Sequence, residues 1–359
     1  MLPEPRPALQ QVADVVHGAL DFAELEDLGL EPDAVLDFSV NGNPYGPSPA
    51  VREAVAGVPF ERYPDGEALA LRRALASHLG VVAERIMVGN GSMELLWLVA
   101  LAFLRSGDAV LICQPTFGEY ARVAQLMQAH VCTYKAQPHA AFGIDADTIM
   151  QRLQQNVPRV VFLCNPNNPT GVYVPIDTIA TWAAALPRTL FVVDEAYLTF
   201  ASGLGSVLTV PSDNILVLRS MTKAYALAGM RLGYAVGHPD VLGALGKVRP
   251  PWSVNALAQA AGLAALDDAA HIERSLTQVA QAQQIFVAHL RGLGLAPLPS
   301  RTHFFLLKVG DAAAYRRALL RRGILVRDCT SFGLPEYIRI ATRRPEENAR
   351  LLAALAEMT

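Results

Sequence analysis

Five short apolar runs rich in β-forming residues, Ala109–Cys113, Val160–Cys164, Leu190–Val193, Ile215–Leu218 and Leu232–Val236, alternate with segments of helical periodicity such as Ser92–Leu104 and Ile176–Ala185. Strands that are apolar throughout need cover on both faces, and strands separated by helices pair mostly in parallel. The expected class is α/β, with a large domain whose mostly parallel sheet is covered by helices on both faces. Open sheets of this kind gather ligands beyond the C-terminal ends of their strands, and polar, proline-rich or glycine-rich motifs follow those ends here. After Pro250-Pro251 the order changes. A long helical stretch begins at Ser253, and then strand, helix, strand and helix patterns cover Phe304–Val309, Ala312–Arg321, Tyr337–Ala341 and Pro345–Met358. These predict a second, smaller α+β domain. The expected division is an arm over 1–35 that joins the small domain, a large ligand-binding domain over 36–250, and the small domain over 251–359.

The 359 residues suffice for two domains, and an apolar share of 52 % supplies a large core. A net charge of −3 gives no general attraction to nucleic acid or to an anionic membrane, so neither is an expected partner. The longest apolar run, Leu95 to Leu104, is too short to span a bilayer and is flanked by Glu94 and Arg105. Met1-Leu2-Pro3-Glu4-Pro5-Arg6 lacks the basic-then-apolar pattern of a signal peptide, which predicts a cytoplasmic protein. Cys113, Cys132, Cys164 and Cys329 lack metal-ligand spacing, so neither a metal site nor disulfides are expected.

Four motifs carry chemistry. Gly89-Asn90-Gly91-Ser92 precedes the helix over Ser92–Leu104, whose free amides would face a phosphate above Gly91, Ser92 and Met93. The plainer alternative is a glycine turn with a serine N-cap. In Cys164-Asn165-Pro166-Asn167-Asn168-Pro169-Thr170-Gly171 two prolines and a glycine stiffen a turn that can aim an asparagine amide. Phe191-Val192-Val193-Asp194-Glu195-Ala196-Tyr197 ends an apolar strand in a carboxylate, a costly place for a charge without a cationic partner. Ser220-Met221-Thr222-Lys223 follows Ile215–Leu218 with Arg231 behind it, and a lysine near a second cation can be a nucleophilic amine.

In this order the motifs resemble those of the fold-type I, pyridoxal-phosphate-dependent aminotransferases, in the branch of histidinol-phosphate aminotransferase and threonine-phosphate decarboxylase. The likeness runs nearly end to end. It implies a fold-type I architecture, pyridoxal 5′-phosphate as cofactor, and a large domain that binds it. Lys223 would be the Schiff-base lysine, Asp194 would meet the pyridinium nitrogen, and Asn168 and Tyr197 the ring oxygen. Phe117, in Pro115-Thr116-Phe117-Gly118-Glu119-Tyr120, matches the aromatic that stacks on the ring. Ser92, Ser220, Thr222 and Arg231, with Gly91 and Met93, match the phosphate cup. Tyr63, in Arg62-Tyr63-Pro64-Asp65, matches a tyrosine donated to the neighbouring subunit, which implies a homodimer with shared active sites. Arg339 corresponds to the arginine that grips a substrate carboxylate, and Arg327 to one used for a substrate phosphate. Asn41 and His17 complete the expected substrate contacts, although a lone histidine near a chain terminus is ordinarily solvated.

Within the branch, Val16-His17-Gly18, Leu36 through Pro44, Pro251 through Leu257 and Arg327-Asp328-Cys329 resemble the decarboxylase. Asn43-Pro44-Tyr45-Gly46 and Asp194-Glu195-Ala196-Tyr197 resemble the aminotransferase. The leading expectation is an L-threonine O-3-phosphate decarboxylase of cobalamin side-chain synthesis, acting on a small phosphorylated amino compound. Histidinol-phosphate aminotransferase of histidine synthesis is the alternative, and a non-catalytic ligand sensor of the same fold the remote one.

Overall fold

The computed structural model describes residues 3–12 and 15–358. Its twelve strands are β1 (Leu36–Asp37), β2 (Ile86–Asn90), β3 (Ala109–Gln114), β4 (His130–Lys135), β5 (Val160–Cys164), β6 (Leu190–Asp194), β7 (Ile215–Ser220), β8 (Leu232–Val236), β9 (Phe304–Lys308), β10 (Ile324–Leu325), β11 (Arg327–Asp328) and β12 (Tyr337–Ala341).

Seven of them form one sheet in the order β2-β8-β7-β6-β5-β3-β4. All pairs are parallel except those of β8, which runs antiparallel to both β7 and β2. Alternate residues of the central strands divide between two cores. Val110, Ile112, Phe162, Val192, Leu216 and Leu218 meet Leu95, Leu96 and Val99 of helix Gly91–Phe103. Leu111, Val161, Leu163, Phe191, Val193 and Val217 meet Ile149, Leu153, Ile179 and Trp182 from the opposite face. The fully apolar strand pattern therefore has the double cover it called for.

Two strands of this sheet escape the pattern of apolar runs. β4 alternates polar with apolar residues at the sheet edge and is nowhere fully buried. β2 carries Gly89, where a Cβ would lie 2.8 Å from Leu95 Cγ, so close strand-to-helix packing has removed the side chain that would mark a strand.

The C-terminal residues build a three-stranded antiparallel sheet, β11-β12-β9, beside the parallel pair β1-β10. The long helical stretch is two helices, Ala256–Asp267 and Ala269–Gly292, divided at Asp268, whose side chain caps the second. Phe38, Phe286, Phe305, Leu307, Ile338, Ile340 and Leu351 share one core here. In the register of β11 and β12, Arg327 stands directly opposite Arg339. Among the described residues no helix is long and apolar enough to cross a membrane.

Candidate active site

Loops leaving β2, β5, β6 and β7 converge with the N-terminal segment and with β11 and β12 on a cavity of about 320 Å³. Lys223 is in its wall, three residues beyond the end of β7. The Lys223 amine is pulled down to about 8, first by burial and then by the positive charges of Arg339 and Arg231, while Asp194 opposes the shift. Burial, more than the neighbouring arginine on which the sequence reading rested, prepares a partly neutral amine near physiological pH.

Asp194 ends β6 and is buried. Burial pushes its carboxyl up, while the Tyr120 hydroxyl, the Ala196 amide and the charge of Lys223 hold it down. The hydrogen bonds are direct: Tyr120 Oη donates to Oδ2 at 2.8 Å, and Ala196 N to Oδ1 at 3.0 Å. Tyr120 was missed in the sequence, although it lies in the motif quoted for Phe117. Its ring stacks on Phe162 and meets Phe117 edge-on, tying the cavity's aromatic wall to its buried carboxylate.

Tyr197 is pushed up to about 12, chiefly by burial and against the pull of Arg339, so its phenol remains a hydrogen-bond donor at neutral pH. Asn168 Oδ1 accepts from Arg339 Nη1. Because a guanidinium only donates, this contact orients the amide and leaves Nδ2 as its donating end. Asn41 lies close to the Tyr197 hydroxyl, but neither Nδ2 nor Oδ1 completes a hydrogen bond. A buried amide without partners on a cavity wall is a ready ligand contact.

An anion cradle closes one end. Helix Gly91–Phe103 begins after Asn90, whose side chain makes no capping bond, so Ser92 is not the N-cap and the first-turn amides keep their donor capacity. Ser220 Oγ and Thr222 Oγ1 lie 2.7 Å apart beside it. Arg231 supplies the cation, and Gly91 has φ +73°, with a Cβ there falling 2.9 Å from Arg231 Nη2. Replacing Gly91 with alanine should therefore displace the guanidinium. The expected result for Gly91→Ala is roughly tenfold weaker retention of a phosphate-bearing cofactor, read from the cofactor's equilibrium dissociation with a melting curve as control.

Arg327 and Arg339, also in the cavity wall, are 6 % and 4 % exposed. Arg339 is anchored on Ser39 O and Asn168. Arg327 donates to Val16 O at 2.6 Å, His17 O at 3.3 Å and Ser331 Oγ at 2.7 Å, with Phe332 beside it. Burial and the charge of Arg339 both pull the Arg327 guanidinium below its usual range.

The cavity thus brings together His17, Asn41, Ser92, Met93, Phe117, Asn168, Asp194, Tyr197, Ser220, Thr222, Lys223, Arg231, Arg327 and Arg339. Gly91 does not line it but lies against Arg231, which does. Tyr63 does not reach it: the side chain is 79 % exposed and stacks on Trp252 at 4.6 Å between ring centres.

The sequence profile of the class I and II aminotransferases matches residues 33–355. The chain belongs to that family. As a member it is a pyridoxal-phosphate-dependent enzyme of the fold-type I architecture. It is 40 % identical to a histidinol-phosphate aminotransferase of Symbiobacterium thermophilum over 98 % of this chain and 97 % of that one. A solved histidinol-phosphate aminotransferase from Sinorhizobium meliloti, in complex with pyridoxal 5′-phosphate, superposes with a TM-score of 0.87 at 27 % identity, covering 99 % of this chain and 98 % of that chain. The L-threonine-O-3-phosphate decarboxylase of Porphyromonas gingivalis superposes with a TM-score of 0.79 at 29 % identity, over 89 % of this chain and 98 % of that chain.

The pocket fits the cofactor. It offers a lysine whose amine is pulled down, a buried carboxylate, a phenol and an amide donor, an aromatic ring, and an anion cradle with Arg231 and the hydroxyls of Ser92, Ser220 and Thr222. The pH dependence of capture follows from Lys223. Protonated amine cannot attack an aldehyde, so the rate at which cofactor-free protein takes up pyridoxal phosphate should rise with pH through about 8 and then level off. Stopped-flow absorbance across pH 6–10 checks this, the range being about two units either side of that value.

Proposed function

We propose that the protein is an aminotransferase for a small phosphorylated amine, with histidinol phosphate the first candidate and 2-oxoglutarate the amino acceptor to be tried. The observation that carries this reading is the cross-strand pair of buried arginines, Arg327 and Arg339, facing the cavity that holds Lys223. Like charges opposite each other on a sheet repel, and a substrate or acceptor with anionic groups supplies the counter-charge. The relatives support amino transfer more strongly than decarboxylation, which reverses the order expected from the sequence.

The residue roles belong to the same proposal. Bound pyridoxal phosphate supplies an electron sink for breaking a bond at the substrate's amine-bearing carbon. Asp194, fixed by Tyr120 and Ala196, would offer its carboxylate to the ring's cationic nitrogen. Tyr197 and Asn168 would donate to the ring oxygen, Phe117 would pack on the ring, and Gly91, Ser92, Met93, Ser220, Thr222 and Arg231 would hold the phosphate. Lys223 Nζ takes the proton from the reacting carbon and returns it. Arg339, Arg327, Asn41 and His17 would orient the substrate and so select which of its bonds reacts.

The arm, in particular His17-Gly18 pressed between Arg327 and Glu119, favours a second reading, L-threonine O-3-phosphate decarboxylase. One experiment separates the two. Cofactor-loaded protein is given histidinol phosphate with 2-oxoglutarate, and separately O-phospho-L-threonine, while glutamate and carbon dioxide are followed. Glutamate from the first mixture alone supports the aminotransferase. Carbon dioxide from the second alone transfers the assignment to the decarboxylase.

We further infer a homodimer, in which exposed Tyr63 serves the partner's cradle, and a cytoplasmic setting, in keeping with four unpaired cysteines. The division at 36 and 251 is retained as a proposal. The packing of Leu25 and Val35 on Leu320 and Leu325 supports an N-terminal arm that joins the C-terminal region.

A further inference from the structure

Glu119 is a buried acid with no part in the mechanism above. It opens helix Glu119–Leu126, two residues after Phe117, and its side chain is 1 % exposed. Its Oε1 accepts from His17 Nε2 at 3.0 Å and from Arg122 Nη1 at 3.2 Å. A carboxylate is costly to bury without partners, and one of its two partners here belongs to the cavity wall.

His17 itself is 51 % exposed and lines the cavity, its ring 5.8 Å from that of Phe117. Its backbone is fixed independently of the ring. Arg327 holds the carbonyls of Val16 and His17, Val15 packs against Gly118, where a Cβ would fall 3.1 Å from Val15 Cγ1, and Ala19 N donates to Ser39 Oγ at 3.0 Å. These contacts place the Cα of His17 but leave its ring free to turn. The bond to Glu119 removes that freedom.

We infer that Glu119 is a positioning residue that fixes His17 as a specificity contact for the phosphate of the substrate, an inference that rests on the phosphorylated-amine reading. A carboxylate accepts, so His17 gives Nε2–H to Glu119, and the imidazolium form, whose two nitrogens both donate, has Nδ1–H left for a phosphate oxygen. Glu119 does not line the cavity, and Arg122 shares the same oxygen, so an incoming anion meets His17 and not the carboxylate. The arrangement is a carboxylate orienting an imidazole, as behind metal-bound histidines, except that here the outward nitrogen donates a proton to an anion instead of a lone pair to a metal.

The test is a double-mutant cycle on the cofactor-loaded protein with His17→Ala, Glu119→Ala, the pair together, and Glu119→Gln, whose amide oxygen can still accept from Nε2. For Glu119→Ala, KM for histidinol phosphate should rise about tenfold, the scale of one oriented hydrogen bond, with kcat within about twofold. Glu119→Gln should recover most of the loss, the double variant should be no worse than His17→Ala alone, and KM for unphosphorylated histidinol should not move. Additive losses, an equal loss on histidinol, or a fall in kcat would make Glu119 a structural residue and overturn the inference. If histidinol phosphate is not turned over, inorganic phosphate binding to the loaded protein, measured by calorimetry, still decides. Equal weakening in Glu119→Ala and His17→Ala sustains the positioning role although the substrate was misassigned, and unchanged binding in Glu119→Ala ends it.

Discussion

Lys223→Ala should leave a folded protein with essentially no turnover, a loss of about 10⁴-fold or more in kcat. General acid–base transfer alone is worth about 10²–10⁴-fold, and the same amine is the nucleophile that holds the cofactor. Lys223 is the only lysine lining the cavity among the described residues, so no neighbour can substitute. The surrounding backbone does not depend on the side chain: Lys223 O accepts from Asn43 N at 3.0 Å and from Ala226 N at 3.1 Å, bonds that alanine preserves. Circular dichroism and a melting curve should therefore match the wild type while the visible absorbance of the lysine-bound cofactor disappears. Retention of that absorbance with turnover would remove Lys223 from the centre of the site. Partial recovery by added small amines would confirm that a proton acceptor, and not shape, was lost.

Asp194→Ala is expected to cost about 10²–10³-fold in kcat/KM, the scale seen when one preorganised electrostatic partner is removed from a catalytic centre. Asp194 is the only acidic residue lining the cavity among the described residues, and burial already works against its charge. The protein bears that cost with a direct hydroxyl, a backbone amide and a nearby lysine. Loss of the acid strands the Tyr120 hydroxyl, a penalty of about 1–3 kcal/mol, so a modest fall in melting temperature should accompany the loss of rate. Tyr120→Phe keeps the carboxylate and removes one of its bonds, and its effect on kcat/KM should be far smaller than that of Asp194→Ala. Comparable losses in the two variants would mean that position, and not charge, is what Asp194 contributes.

Much of this arrangement was legible in the chain because the large sheet announces itself. Val160–Cys164, Leu232–Val236 and helix Ile176–Ala185 fall where the apolar pattern puts them. Asp194, Asn168 and Lys223 follow strands, where ligand chemistry gathers in open sheets. What stayed hidden depended on partners distant in sequence. Nothing local distinguishes Tyr120 from the many tyrosines that pack in helices; its meaning comes from Asp194, 74 residues away. Arg327 and Arg339 read equally well as surface charges until β11 and β12 pair and bury them face to face. Glu119 carries no signal of its own in the motif around Phe117, and only the return of His17 across 102 residues gives it a ligand-facing partner.

The crossing of Arg327 by the N-terminal segment, over a separation of 310 residues at His17, also gives the molecule an order of completion. The residues proposed to hold the cofactor within one subunit lie between Gly91 and Arg231, whereas those proposed to grip the substrate come from the two ends of the chain, His17 and Asn41 on one side and Arg327 and Arg339 on the other. As the polypeptide leaves the ribosome, the last of the cofactor's anchoring points, Arg231, is made 96 residues before Arg327 begins the second half of the substrate site, and closing so long a loop is the slow part of folding. Shortening the chain from its C-terminal end would therefore erase recognition of the substrate before it erased a single one of those anchoring points.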